Sequence, residues 1–198
     1  MCNVCDAEDE PLPATYVDAG AKDVDKAACN ALFVAACRAQ RVGRVMVLDG
    51  PKGNTSKRLG LPPDAIHVPN AAASDAKRLA RLKVCTVHRM RFSRLVRNKK
   101  PYDAIFYDAC GSWPGSTQLG LDPREDARRI FAYGLRRRGT CVAAFTFNNC
   151  RRKRGRGSGD IEKELCVLAA RNGWLVRKIK RVAYKNMRFW CMQLAFVC

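Results

Sequence analysis

No stretch of this sequence approaches the ~20 consecutive apolar residues that a transmembrane helix needs, so no membrane contact is expected. The beginning of the chain is acidic (Asp6, Glu8, Asp9, Glu10) and carries no apolar signal core, which predicts an intracellular protein that is not exported. Metal-ligand patterns are thin. Cys2 and Cys5 form a CxxC pair, but no second CxxC pair completes the four ligands that zinc takes, so no metal is expected. Two phosphate-binding signatures are missing as well. Without GxxxxGK[ST] a P-loop is excluded, and without GxGxxG a dinucleotide-dependent oxidoreductase is disfavoured. Acids are scarce, 18 against 37 Lys and Arg, and they crowd to one end.

What is there begins with that asymmetry. Residues 1–25 hold seven acids and one lysine, whereas residues 26–198 hold 36 cations and 11 acids, for a formal net charge of +19 overall. A folded domain this basic usually meets a polyanion, most commonly nucleic acid. The 198 residues suffice for one domain with a sizeable core. We therefore expect an acidic, flexible segment over residues 1–24 and one domain over 25–198. The 11 cysteines suggest free thiols in a reducing compartment. Cys85, Cys141, Cys166 and Cys191 lie in apolar runs and read as small core residues.

Strands and helices alternate along the chain. Apolar residues at helical spacing predict a helix over 24–40, and Arg44–Asp49 is a short apolar strand ending in an acid. Two glycines follow, Gly50 and Gly53, before Asn54, Thr55 and Ser56 open a helix to Leu59. A buried strand turning through glycines into a helix points backbone N–H groups at the carboxyl edge of a sheet, where open α/β sheets bind ligands. Further strands are expected at Ala65–Val68, Val84–His88, Tyr102–Asp108 and Thr140–Phe147. The intervening helices are expected at Ser74–Leu82 (Ser74 as N-cap), around Phe92–Val96, at Asp122–Arg138 (Asp122 as N-cap, Pro123 at N1) and at Asp160–Asn172. Trp174–Tyr184 and Phe189–Val197 read as a closing hairpin. The prediction is an α/β, Rossmann-like three-layer sandwich. Its seven-stranded sheet is mostly parallel, with an antiparallel last strand.

On the order of its elements over 25–198, and on LDGPKGN (Leu48–Asn54), the chain resembles a class I S-adenosylmethionine-dependent methyltransferase. The resemblance implies S-adenosylmethionine as cofactor. It implies that Asp49, Gly50, Gly53 and Asn54 hold it, although the glycine spacing departs from the family's common pattern. Asn70, ending HVPN, stands where the family usually has an acid for the ribose hydroxyls; it reads equally as a turn asparagine after Pro69. His88, at the third strand's end, stands near the expected adenine site, or is a structural histidine. After the fourth strand, YDACGSWPG (Tyr107–Gly115) falls where the family handles the methyl acceptor. There Asp108 orients the acceptor or takes a proton, or alternatively caps the following loop. Gly111 permits a tight turn and Trp113 offers a stacking surface. Cys110 lacks the Pro-Cys dipeptide of cytosine-C5 enzymes and reads as a buried thiol, and the [DNS]PP[YFW] motif of DNA amino-methyltransferases is absent.

The loop after the fifth strand, Asn148–Asp160, carries Arg151, Arg152, Lys153, Arg154 and Arg156 among glycines. It reads as a mobile phosphate clamp at the ligand edge, as a solvated loop or as a nuclear-import signal. Basic helices at Lys77–Lys83 and Arg89–Lys100 either extend that surface or are solvated faces. Two functions follow: an S-adenosylmethionine-dependent methyltransferase acting on nucleic acid (DNA or RNA), or a catalytically inactive methyltransferase-like scaffold that binds nucleic acid.

Overall fold

The computed structural model describes residues 24–98, 100–113, 122–148, 158–184 and 187–197. The acidic segment with Cys2 and Cys5 and the cations Arg151, Arg152, Lys153, Arg154 and Arg156 lie outside the described residues. The elements run in the order α1 (Val24–Ala39), β1 (Val45–Val47), α2 (Asn54–Leu59), β2 (Ile66–Pro69), α3 (Ala73–Arg81), β3 (Thr86–His88), α4 (Phe92–Asn98) and β4 (Ala104–Ser112). They continue with α5 (Pro123–Arg129), β5 (Thr140–Asn148), α6 (Ser158–Arg171), β6 (Trp174–Tyr184) and β7 (Met187–Phe196).

The seven strands form one sheet in the order β3-β2-β1-β4-β5-β7-β6. Pairings among the first five are parallel, and β7 runs antiparallel to both β5 and β6. The last strand thus inserts between its two neighbours instead of adding at the edge. Its residues explain why. Phe189, Trp190, Cys191, Met192 and Leu194 are buried on β7 and need cover on both faces. On β6, by contrast, Arg177, Lys178, Lys180 and Arg181 are exposed, as suits an edge strand.

Alternation along the strands builds two cores. Ala104, Phe106, Val142 and Ala144 face one side, with Phe33 and Cys37 of α1, Leu59 of α2 and Leu79 of α3. Ile105, Tyr107, Ala143 and Phe145 face the other, with Leu95 of α4, Ile130 and Phe131, and Leu165 of α6. Three layers result, as expected. Cys85, Cys141 and Cys191 are buried and Cys166 partly so. Burial pushes Cys85 and Cys141 up to about 11 and Cys191 up to about 12, so these are protonated core thiols.

Three local expectations are corrected. The helix predicted over Asp122–Arg138 keeps its Asp122 cap, whose carboxylate accepts from Glu125 N, but its regular part stops at Arg129. A wider π-type turn, Ile130–Gly134, follows. At Gly134 a Cβ would stand 2.7 Å from both Ile105 Cδ1 and Val96 Cγ2, so the chain ends this element by close approach to β4 and α4. The N-cap of α3 is Ala72 and not Ser74, because Asn70 Oδ1 accepts from Ala72 N (3.0 Å) and sets the entry two residues earlier. Finally, the fourth strand does not end at Asp108. It passes an irregularity and pairs Ser112 with Asn148, which places Cys110 and Gly111 inside β4 rather than in a tight turn.

Candidate functional site

The strand–turn–helix at Asp49 forms as its residues suggest. Leu48 N donates to Phe106 O (2.9 Å), carrying the β1–β4 ladder to the residue before Asp49. Gly53 N donates to Gly50 O (2.9 Å), closing the turn. Gly53 sits at φ 60°, ψ 38°, a left-handed conformation open to glycine. A Cβ there would also lie 3.0–3.1 Å from Leu82 and Leu79. The backbone and the packing behind the turn therefore demand this glycine. Gly50 is buried beside it, and Asn54 opens α2 half-buried.

Gly53, as N-cap of α2, has no side chain to offer. Asp49 does that work from across the turn. Its Oδ2 accepts from Thr55 N (3.1 Å), Ser56 N (2.8 Å) and Ser56 Oγ (2.9 Å). The carboxylate thus lies against the positive end of the helix, and Oδ1 takes no part in the cap. Burial nevertheless raises the Asp49 pKa above its usual value; the bonds from Ser56 and Thr55 oppose this, and the neighbouring charge of Asp108 adds to it.

Asp108 is that neighbour. It lies in β4, paired in register with Thr146 of β5, and is 3% exposed. Lys26 Nζ, from the first turns of α1, stands 3.0 Å from its Oδ2. Asp49, just past β1, and Asp108, within the adjacent β4, are therefore brought together, with a lysine seated on one of them. The remaining cofactor-side candidates turn inward. Asn70 Oδ1 holds Ala72 N, while Asn70 N donates to His88 O (2.9 Å), which is the turn-asparagine geometry. The His88 ring stacks on His67, with His67 Nδ1 and His88 Nε2 2.9 Å apart.

Of the residues expected on the acceptor side, Trp113 packs its ring on Phe147, centroids 4.9 Å apart. Its Nε1 donates to Glu164 Oε2 (2.8 Å), and Arg124 also pairs with Glu164. Trp113, Arg124 and Glu164, with Asp160 and Ile161, line an open cleft of about 330 Å³. Beneath it, Tyr107 Oη donates to Asp126 Oδ2 (2.7 Å), whose other oxygen meets Arg129 (2.8 Å). Burial, with the Asp126 charge beside it, holds the Tyr107 hydroxyl well above its ordinary pKa, so it stays a donor.

Four side chains escaped the sequence reading. Lys26 left a signal, a lone cation in the first turns of an apolar helix. Glu164 and the His67–His88 contact left none, since only the fold makes them neighbours. Asp75 sits in the first turn of α3, 5% exposed, and its Oδ2 accepts no hydrogen bond among the described residues. An acid six positions after the end of β2 was the available clue. Among the described residues no group of three or more His, Cys, Asp or Glu is placed to hold a metal, and no helix is long and apolar enough to cross a membrane.

Solved structures share this architecture. The N-methyltransferase NodS from Bradyrhizobium japonicum aligns with a TM-score of 0.60 at 6% identity, over 89% of this chain and 99% of that one. A second NodS structure holds S-adenosylhomocysteine. Magnesium protoporphyrin IX methyltransferase from Synechocystis, with S-adenosylmethionine bound, aligns with a TM-score of 0.56 at 12% identity, over 86% and 79% of the two chains. An S-adenosylmethionine-dependent methyltransferase from Clostridium acetobutylicum gives 0.57 at 13%, over 89% and 94%. No family profile and no curated protein sequence matches the chain. The chain has the class I S-adenosylmethionine-dependent methyltransferase fold.

Proposed function

We propose that this protein transfers a methyl group from S-adenosylmethionine to a nucleic acid. The observation that carries the reading is the juxtaposition of Asp49 and Asp108 at the carboxyl edge of this sheet, beside a glycine turn at a helix entrance. The donor set fits the cofactor. Asp49 keeps Oδ1 outside its helix cap and suits an ammonium group, and the 50–54 backbone lies beside it. With Asn70 engaged in its own turn, the orphaned Oδ2 of Asp75 is the acceptor offered to ribose hydroxyls. When bound, S-adenosylmethionine supplies an electrophilic methyl carbon.

The chain's own residues supply alignment, the larger part of such catalysis. Asp108, neutralised by Lys26, accepts a hydrogen bond from the acceptor and fixes its approach. Trp113, held edge-on by Glu164, walls the acceptor side. Cys110 and Gly111 contribute the β4 backbone there. The acceptor is proposed as nucleic acid from the net charge of +19 and from the Arg151, Arg152, Lys153, Arg154 and Arg156 loop. The proteins of like fold act on differing acceptors, porphyrin among them.

Calorimetry with S-adenosylhomocysteine tests the reading. Binding in the micromolar range is expected, and a folded protein that gives no heat at millimolar ligand refutes it. The second reading, an inactive scaffold that binds nucleic acid, draws on the internal engagement of Asn70 and His88. It predicts nucleic-acid binding that persists with no cofactor binding at all.

A further inference from the structure

The cations of this chain are concentrated, and one concentration lies where the function above does not use it. Residues 73–100 hold ten Lys and Arg against one acid, Asp75, so this segment carries nearly half of the net +19. Asp75 is buried and adds nothing to the surface. The segment comprises α3, β3 and α4, and β3 is one of the sheet's two edge strands. Since α3 lies on one face of the sheet and α4 on the other, their polar sides flank that edge together.

Both helices are amphipathic with polar sides of a single sign. On α3, Ala76 and Leu79 are buried while Lys77, Arg78 and Arg81 are exposed; on α4, Phe92, Leu95 and Val96 are buried while Arg94 is exposed. Solvated helix faces normally mix charges, because opposite charges at i,i+4 stabilise a helix and like charges destabilise it. Here no acid is interspersed. Lys77, Arg78, Arg81, Lys83, Arg89 and Arg94 form no ion pair among the described residues, in contrast to Arg124, Arg128, Arg129, Arg136 and Arg181, each of which meets a carboxylate. Protecting a three-residue edge strand from pairing needs far less charge than this.

We infer that the α3–β3–α4 edge is a docking surface for the phosphate backbone of a nucleic acid, leading towards the ligand edge through Arg89 at the end of β3. The inference rests on the nucleic-acid part of the function proposed above and gives that acceptor its path. Exposed charge of one sign along this edge suits contacts that position a strand without reading its sequence.

The test measures binding of a fluorescein-labelled 20-nucleotide RNA, and of a DNA duplex of equal length, to the full chain across a salt series. The parent is compared with the triple variant Arg78→Gln/Arg81→Gln/Arg94→Gln. Losing three phosphate contacts reduces the slope of log K against log salt by roughly 2 for a single strand and roughly 3 for a duplex. With equal binding at 1 M salt, that corresponds to about 100-fold weaker binding or more at 0.1 M. Equal slopes for parent and variant overturn the inference, as does a parent that binds neither nucleic acid at low salt. Tighter capture by phosphatidylserine vesicles than by either nucleic acid also overturns it, in favour of a membrane surface. Circular dichroism and S-adenosylhomocysteine calorimetry on the same variant separate the two proposals. Slope loss in a protein that never binds S-adenosylhomocysteine leaves the surface standing and removes the methyltransferase reading. Unchanged slopes with intact ligand binding do the reverse.

Discussion

Replacing Asp49 separates the capping of α2 from the proposed task of presenting charge to a ligand. Asp49→Ala removes the acceptor of three hydrogen bonds at the start of a six-residue helix whose own N-cap, Gly53, has no side chain to substitute. A lost cap costs typically about 1 kcal/mol and up to about 2, and hydrogen bonds to a charged acceptor are worth about 1.5–3 kcal/mol each before the cost of burying the charge is set against them. Burial raises the Asp49 pKa, so that cost is substantial here. The expected net loss is about 2–3 kcal/mol, or roughly 4–12 °C in Tm for a chain of this size. Asp49→Asn keeps an oxygen for Thr55 N and Ser56 N and removes the buried charge, so its loss stays under about 1 kcal/mol. Urea unfolding followed by tryptophan fluorescence measures both. A pH series adds a sign. The folded pKa of Asp49 lies above the unfolded value, so between the two the folded state holds more protons, and the parent loses stability as pH rises through that window. Asp49→Asn lacks this slope. It also loses S-adenosylhomocysteine affinity while remaining folded. An Asp49→Ala variant as stable as the parent refutes the cap. An Asp49→Asn variant that binds ligand normally refutes the role of the charge.

Two further outcomes follow from particular contacts. Asp108→Asn is expected to lower methyl transfer at least 10-fold while leaving S-adenosylhomocysteine affinity within about threefold if, as proposed, the residue faces the acceptor; equal losses in both, measured by turnover and calorimetry, place it on the cofactor side instead. Gly134→Ala forces a methyl to within 2.7 Å of Ile105 Cδ1 and Val96 Cγ2. It is expected to cost about 1–3 kcal/mol, read as a lower urea midpoint at unchanged m-value.

The architecture was legible because its signals are local. Alternating strands and helices, and a hairpin with no helix between its strands, dictate a parallel sheet with one antiparallel strand. Asp122 and Pro123 started α5 as their chemistry requires, but nothing in RRIFAYGLRRR announces where regular helix ends. That point depends on Gly134 meeting β4 and α4, contacts distant in sequence. The extension of β4 past Asp108 likewise depends on β5 running to Asn148. The strand–glycine–helix setting of Asp49 was legible, whereas its capping of α2 was hidden, because the acid precedes the helix by five residues instead of standing at the N-cap. The sequence equally hid Lys26 against Asp108 and Glu164 against Trp113, pairs separated by 82 and 51 positions.

The distribution of charge constrains how the proposed acceptor approaches. Phosphates are repelled by the Asp49–Asp108 pair, whose mutual repulsion adds to burial in raising the Asp49 pKa, and attracted to the edge formed by Arg78, Arg81, Arg89 and Arg94. A polyanion therefore gains most by lying along the periphery, outside the carboxylates, with only an uncharged portion turned inward. Lys26 lessens the central repulsion by pairing with Asp108. Neutralising that lysine should weaken binding of a short acceptor, whose phosphates all lie near the centre, more than binding of a long one that reaches the β3 edge. Lys26→Met compared on four- and 20-nucleotide strands measures this directly. Equal losses at both lengths would mean that the centre and the edge act on the same phosphates, and the separation of charges argued for here would not govern docking.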